Sequence, residues 1–267
     1  MRRDVVELRK FYAGPLGRAA RDMVGRKLAE TWGDVTGLDI LGLGYPTPYL
    51  ERFTRARRVV AAMPAEQGVE AWPVTGAGNR ACLMRDGALP FPNALFDRVL
   101  VIHGLEESDD PVALLREVWR VMAPSGRVVL AAAARSGVWC HAEGTPFGSG
   151  RPFGLRQLEQ LAREAELEPI AWSRALYAPP IAGLARFAEL FEQAGARLWP
   201  RFAGMILLEA VKQTFAVKPR GLGAPARVFV PGALRPARSP LGLQGHISQS
   251  PPPQILHETL GGGEQSP

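Results

Sequence analysis

Residues 88–131 contain Leu89-Pro90-Phe91, then Phe96-Asp97-Arg98-Val99-Leu100-Val101-Ile102-His103-Gly104-Leu105-Glu106-Glu107. They continue through Asp110-Pro111 and Leu114-Leu115-Arg116-Glu117-Val118-Trp119-Arg120-Val121-Met122 to Pro124-Ser125-Gly126-Arg127-Val128-Val129-Leu130. The stretch reads as strand, helix, strand. The run 98–103 is nearly all apolar, as expected of a strand covered on both faces. Asp110-Pro111 places an N-cap before a proline at the first helical position. Leu114, Leu115, Val118, Val121 and Met122 then make the stripe of a helix lying on a sheet. Pro124-Ser125-Gly126 turns the chain into a second strand over 127–133.

Working outward, short apolar runs at 38–43, 58–62 and 81–84 precede this unit, with turn or helical segments between them. Such alternation predicts an α/β fold with a doubly wound, mostly parallel sheet. On the C-terminal side, Leu155, Leu158, Leu161, Ala162 and Ala165 mark a helix over 155–165. Residues 182–195 read as a further helix and 203–211 as a closing strand. At the N-terminus, Leu16, Ala20, Met23, Val24 and Leu28 have helical spacing, and Gly14-Pro15 splits the region 4–31 into two helical pieces. These helices are expected to pack on the sheet and complete one domain over 1–216. Residues 217–267 are rich in proline and glycine and too poor in apolar surface to offset their ordering entropy. They are expected to form a disordered tail.

Composition narrows the function. The net charge of +6 resides in the segments 1–31 and 217–267, and the stretch between is close to neutral. That is the pattern of solvated cationic ends rather than of a groove lined with arginines and aromatics, so nucleic acid is not the expected partner. No apolar run approaches the roughly 20 residues that a membrane-crossing helix needs. The N-terminus leads into charge rather than an apolar leader, and the expected location is the cytoplasm. Cys82 and Cys140 have no metal-ligand or disulfide-framework spacing and read as reduced structural thiols. No Cys/His/carboxylate cluster points to a metal, and no phosphate loop of the nucleotide-hydrolysing kind occurs.

Over 88–131 the sequence resembles the core of class I S-adenosylmethionine methyltransferases, in the group that includes the ubiquinone and menaquinone methylating enzymes. Leu89-Pro90-Phe91, Phe96-Asp97, His103, Leu105-Glu106 and 115–121 carry the resemblance, which extends more loosely over 36–212. It implies a seven-stranded, Rossmann-like sheet of order 3-2-1-4-5-7-6 with the last strand antiparallel, and S-adenosylmethionine as cofactor. It further implies an acceptor that is a small or lipid-like molecule, and a methyl transfer that runs on positioning of an already activated donor. No catalytic residue is assigned.

The same resemblance makes Gly42, Gly44, Asp86 and His103 the candidate cofactor-binding residues. The family's turn after strand 1, Asp-x-Gly-x-Gly-x-Gly, admits the cofactor because side chains are absent and amides are free. Aligned on Gly42 and Gly44, Ile40 stands at the acidic position and Pro46 at the third glycine. The segment 59–64 ends strand 2 without the ribose-binding acid, and Glu66 lies beyond that point. Asp86 is the candidate for the adenine end, while His103 ends strand 4 beside the cofactor. Phe11-Tyr12 is a candidate lid that otherwise packs on the sheet edge. The loop 145–153, with His141 just before it, is a candidate acceptor-binding segment. These departures leave a second reading open, a non-catalytic binding or scaffolding module on the same fold.

Overall fold

The computed structural model describes residues 2–74 and 78–213, together with the backbone of 235–236. The expected tail over 217–267 otherwise lies outside the described residues. Eight strands form one sheet: β1 (Asp39–Gly44), β2 (Arg58–Pro64), β3 (Ala81–Met84), β4 (Phe96–Ile102), β5 (Met122–Ala133), β6 (Leu167–Ala175), β7 (Met205–Lys212) and the two-residue β8 (Arg235–Pro236). Their order is β3-β2-β1-β4-β5-β7-β6-β8. Strands β1 to β5 pair in parallel, and β7 runs antiparallel to both neighbours. The expected seven-stranded order is present, with β8 added at the β6 edge.

The side-chain period of two sorts the core into two layers. Ile40, Leu100 and Val129 face one layer, which contains Ala20, Met23, Val24 and Leu28 of helix α2 (Pro15–Trp32). Leu41, Val99 and Val128 face the other, with Leu114, Leu115 and Val118 of α4 (Pro111–Val121) and Leu158 of α5 (Leu155–Glu164). Helix α1 (Val5–Ala13) precedes α2, and Gly14 separates the two as the sequence predicts. Asp110 caps α4 by accepting from the Ala113 amide at 2.9 Å.

Two elements differ from the sequence reading. Strand β6 is not marked by an apolar run, because Glu168, Pro169, Ser173 and Arg174 interrupt it and its burial is intermittent. Residues 182–195 divide into a 3₁₀ segment, Ala182–Phe187, and α6 (Ala188–Leu198). Trp119 on α4 is half-buried, with the Lys212 ammonium 4.1 Å from its ring centroid.

The α4 stripe supplies a direct check. Leu115→Ala is expected to destabilise the fold by about 2–5 kcal/mol in chemical denaturation, because it opens a cavity at a fully buried site. Arg116→Ala, on the exposed face of the same helix, is expected to stay within about 0.5 kcal/mol.

Candidate functional site

Sheet order reverses between β1 and β4, and in open α/β sheets a crevice forms beyond the carboxyl ends of such strands. One wall is the turn after β1. Gly44 has φ +92°, and a Cβ there would lie 2.0 Å from the Ile102 carbonyl oxygen. The Tyr45 amide donates to that same oxygen at 3.0 Å. A Cβ on Gly42 would lie 2.4 Å from Cβ of Pro46, so the chain folds back over its own glycine. The next element, α3 (Thr47–Leu50), is a single turn. Pro46 and Pro48 have no N–H to offer, and the amides of Tyr49 and Leu50 donate to the Pro46 carbonyl. Both glycines thus permit close backbone packing, and the turn directs Tyr45 and Tyr49, both buried, into the crevice.

The opposite wall is the end of β4. His103 is buried and holds φ +53°, a conformation that costs energy for a non-glycine residue. Its Nε2 lies 2.6 Å from the hydroxyl of Tyr12, which lies 2.8 Å from the hydroxyl of Tyr49. Both bonds are made at once if Tyr49 donates to Tyr12 and Tyr12 donates to a neutral ring. Burial pushes the His103 pKa down to about 3, with the Arg3 cation adding to the effect, so the ring is neutral. Burial likewise raises both hydroxyl pKa values, chiefly through loss of solvation. Tyr12 comes from α1, and its ring stacks on Tyr45 with centroids 5.7 Å apart.

Beyond β2 the crevice is occupied by Gln67, whose side-chain amide donates to the Gly44 carbonyl at 3.0 Å. The main-chain carbonyl of Gln67 accepts from the Val5 amide at 2.9 Å. Asp86 accepts from Ser108 Oγ at 2.5 Å and pairs with the Arg2 guanidinium. Arg2 also stands 3.8 Å from Glu66, and its side chain is only 8% exposed. The sequence reading of solvated cationic ends therefore fails for Arg2, because acidic residues 64 and 84 positions away surround it. Arg3 donates from its backbone to Glu107 at 3.1 Å and from its side chain to Ser149 Oγ at 2.8 Å and the Glu143 carbonyl at 2.6 Å.

Glu106 lies beneath this segment. Its Oε1 accepts from the Ala133 amide at 2.8 Å, and burial raises its pKa to about 7. The loop 145–153 closes the remaining side: Phe147 is buried, with its ring 4.9 Å from His103, 6.2 Å from Phe11 and 5.1 Å from Trp139.

Among the sequence-derived candidates, Gly42, Gly44 and His103 meet around the tyrosines, whereas Asp86 stands at the far end with Arg2. Sequence reasoning missed Tyr49, Gln67, Arg2 and Arg3. Only the Gly-x-Gly-Tyr-Pro-x-Pro spacing hinted that the turn would fold inward. A cavity of about 10 Å³ remains between Arg3, Leu8, Gln67, His103 and Glu106, room for one water. A larger groove of about 470 Å³ lies at the opposite, amino-terminal ends of β2 and β3.

Gly44→Ala should destabilise the fold by more than the roughly 1 kcal/mol of an ordinary glycine replacement, since both φ and the Ile102 oxygen oppose it. Thermal denaturation against Gly33→Ala, where φ is also positive but space is open, separates the steric cost from the conformational one.

Glu106 gives a pH signature. Its folded-state pKa of about 7 exceeds the ordinary value of 4.5, so the folded state holds more protons in that window and loses stability as pH rises through it. Glu106→Gln removes this loss, and His103 contributes equally to both proteins. The melting-temperature difference, variant minus wild type, should grow more positive from about pH 5 to pH 8.

Residues 38–130 match a family described as methyltransferase domain. An uncharacterized protein of Mycobacterium tuberculosis is 32% identical over 142 residues, covering 49% of this chain and 47% of that protein. The chain therefore spans about half the length of the curated relatives it matches. A structure from Thermotoga maritima, described as a methyltransferase and possible histamine N-methyltransferase, aligns with TM-score 0.55 at 15% identity. It covers 78% of this chain and 96% of that one. A methyltransferase from Mesorhizobium loti aligns with TM-score 0.53 at 14% identity, covering 72% and 100% respectively. At these identities the solved structures establish the fold. Residues 38–130 match the methyltransferase-domain family model, and the chain has the Rossmann-like fold of the S-adenosylmethionine-dependent methyltransferases it aligns with.

Proposed function

We propose that the chain is a cytoplasmic methyltransferase that takes a methyl group from S-adenosylmethionine to a small or lipid-like acceptor. The observation that carries this reading is the family match over 38–130, a segment that builds both walls of the switch-point crevice. Gly42 and Gly44 would lie against the methionine part of the cofactor, His103 beside it, and Asp86 at the adenine end. The cofactor supplies an activated methyl group, and the chain's part is to orient donor and acceptor and to exclude water.

As arranged, these residues do not fit that cofactor. A ligand of its size needs a pocket of about 300–1,000 Å³, and the crevice holds room for one water. The Tyr45, Tyr49 and Leu50 amides are spent on Ile102 and Pro46, and Asp86 and His103 are engaged by Arg2 and Tyr12. This filling favours the second reading, a non-catalytic binding or scaffolding module. The two readings differ in whether the filling is removable.

Calorimetric titration of the full chain with S-adenosylmethionine and S-adenosylhomocysteine decides between them. Micromolar binding of either supports the methyltransferase. Absence of both heat and thermal shift at millimolar ligand leaves the scaffold reading.

A further inference from the structure

We propose that residues 2–12 are a built-in competitor for the crevice: they occupy the places a ligand would take, so ligand binding and docking of this segment exclude one another. The inference rests on the crevice being the cofactor site, and goes beyond it by assigning the occupant and the sign of the coupling.

The contacts of the segment coincide with the candidate site. The Arg2 guanidinium pairs with Asp86, the candidate for the adenine end, and approaches Glu66 beyond β2. Tyr12 takes Nε2 of His103 and packs against Tyr49 and Tyr45 of the turn that follows Gly42 and Gly44. Leu8 is buried between them, and the Val5 amide is tied to Gln67. A lid would lie across a ligand. This segment stands where the ligand would be.

Two further observations mark the occupancy as exchangeable. Arg2 Nη1, Asp86 Oδ1 and Glu106 Oε2 are buried and make no hydrogen bond among the described residues. The closed arrangement thus leaves polar capacity that a ligand rich in donors and acceptors would satisfy. Secondly, α1 is separable. Its first turn is capped locally by Asp4, which accepts from the Val6 amide at 2.7 Å, and Gly14, in extended conformation, divides it from α2. Leu8 and Tyr12 share a buried layer with Ala20, Met23, Val24 and Leu28 of α2, so opening uncovers part of that layer, a cost that ligand binding has to offset.

A competitor and a lid differ in sign. If ligand binds only the open state, the apparent dissociation constant is the intrinsic one divided by the open fraction, so loosening the segment tightens binding. For a lid, loosening the segment weakens binding, because its contacts add to the bound state.

The test titrates full-length wild type, Arg2→Ala and Tyr12→Phe with S-adenosylmethionine and S-adenosylhomocysteine, alongside amide hydrogen exchange of residues 2–13. Circular dichroism melts confirm that each variant is folded, and Arg2→Lys, which keeps the charge but loses the fork, serves if Arg2→Ala is not. Competition predicts binding tightened by about tenfold in Arg2→Ala, by less in Tyr12→Phe, and faster exchange of residues 2–13 on adding ligand to wild type. Equal affinities, weaker binding in Arg2→Ala, or slower exchange with ligand overturns the competitor and leaves the methyltransferase reading intact. Failure of every folded variant to bind overturns both.

Discussion

A methyl group on residue 44 would lie 2.0 Å from the Ile102 carbonyl oxygen, and most of the crevice depends on the absence of that methyl group. Because β1 closes on β4 at this point, the Tyr45 amide reaches the Ile102 carbonyl and the chain reverses within three residues. Reversal over Gly42 leaves room for only one helical turn before the chain leaves the sheet. Tyr45 and Tyr49 are thereby aimed inward, where they meet Tyr12 and stack or bond with it. The strained backbone of His103 then brings its Nε2 to the Tyr12 hydroxyl. Each of these contacts depends on the one before it.

The electrostatics of the crevice come from its dryness. Lost solvation is the first cause of the shifts at His103, Glu106, Tyr12 and Tyr49, and in every case it favours the neutral form. Around His103, Tyr12 and Tyr49 the interior is therefore a network of neutral donors and acceptors, while Glu106 titrates near pH 7. The Arg2–Asp86 pair is the exception, and a buried pair is favourable only when its remaining polar atoms are bonded. Ser108 serves one Asp86 oxygen, but the other oxygen and one Arg2 nitrogen are unserved. The least satisfied part of the crevice is thus where the N-terminal segment enters it.

How much of this was legible in the sequence varied with the reach of each interaction. Central parallel strands are buried on both faces, so 98–103 and 127–133 announced themselves as apolar runs. Strand β6 lies near the sheet edge, with polar residues and Pro169 inside it, and carries no such run. The break at Gly14-Pro15 and the cap at Asp110 are local and were readable. The convergence of Tyr12, Tyr49 and His103 spans up to 91 residues, and the Arg2–Asp86 bond spans 84. Helical spacing places Tyr12 on a helix but says nothing of a partner so distant. Counting charge by segment likewise treated Arg2 as solvated, because composition does not register which acids a cation will meet.

A crevice at a switch point is a product of topology, and it exists whether or not a ligand enters it. Protein interiors do not leave such volumes empty of both water and side chains without cost. In a cofactor-dependent relative of the fold, a short glycine-rich turn leaves the volume to the ligand. Here the turn is built from Tyr45, Pro46, Pro48 and Tyr49, and a cofactor in the same position would have to displace aromatic rings as well as water. The tyrosines of the turn are fixed by the sheet, while Tyr12 arrives on α1 and Arg2 on the residues before it. Of everything that fills the crevice, the N-terminal segment is the part whose departure leaves the sheet paired, although it takes Leu8 and Tyr12 out of one hydrophobic layer. The fold therefore supplies the crevice, the turn narrows it, and the state of α1 decides whether it is open.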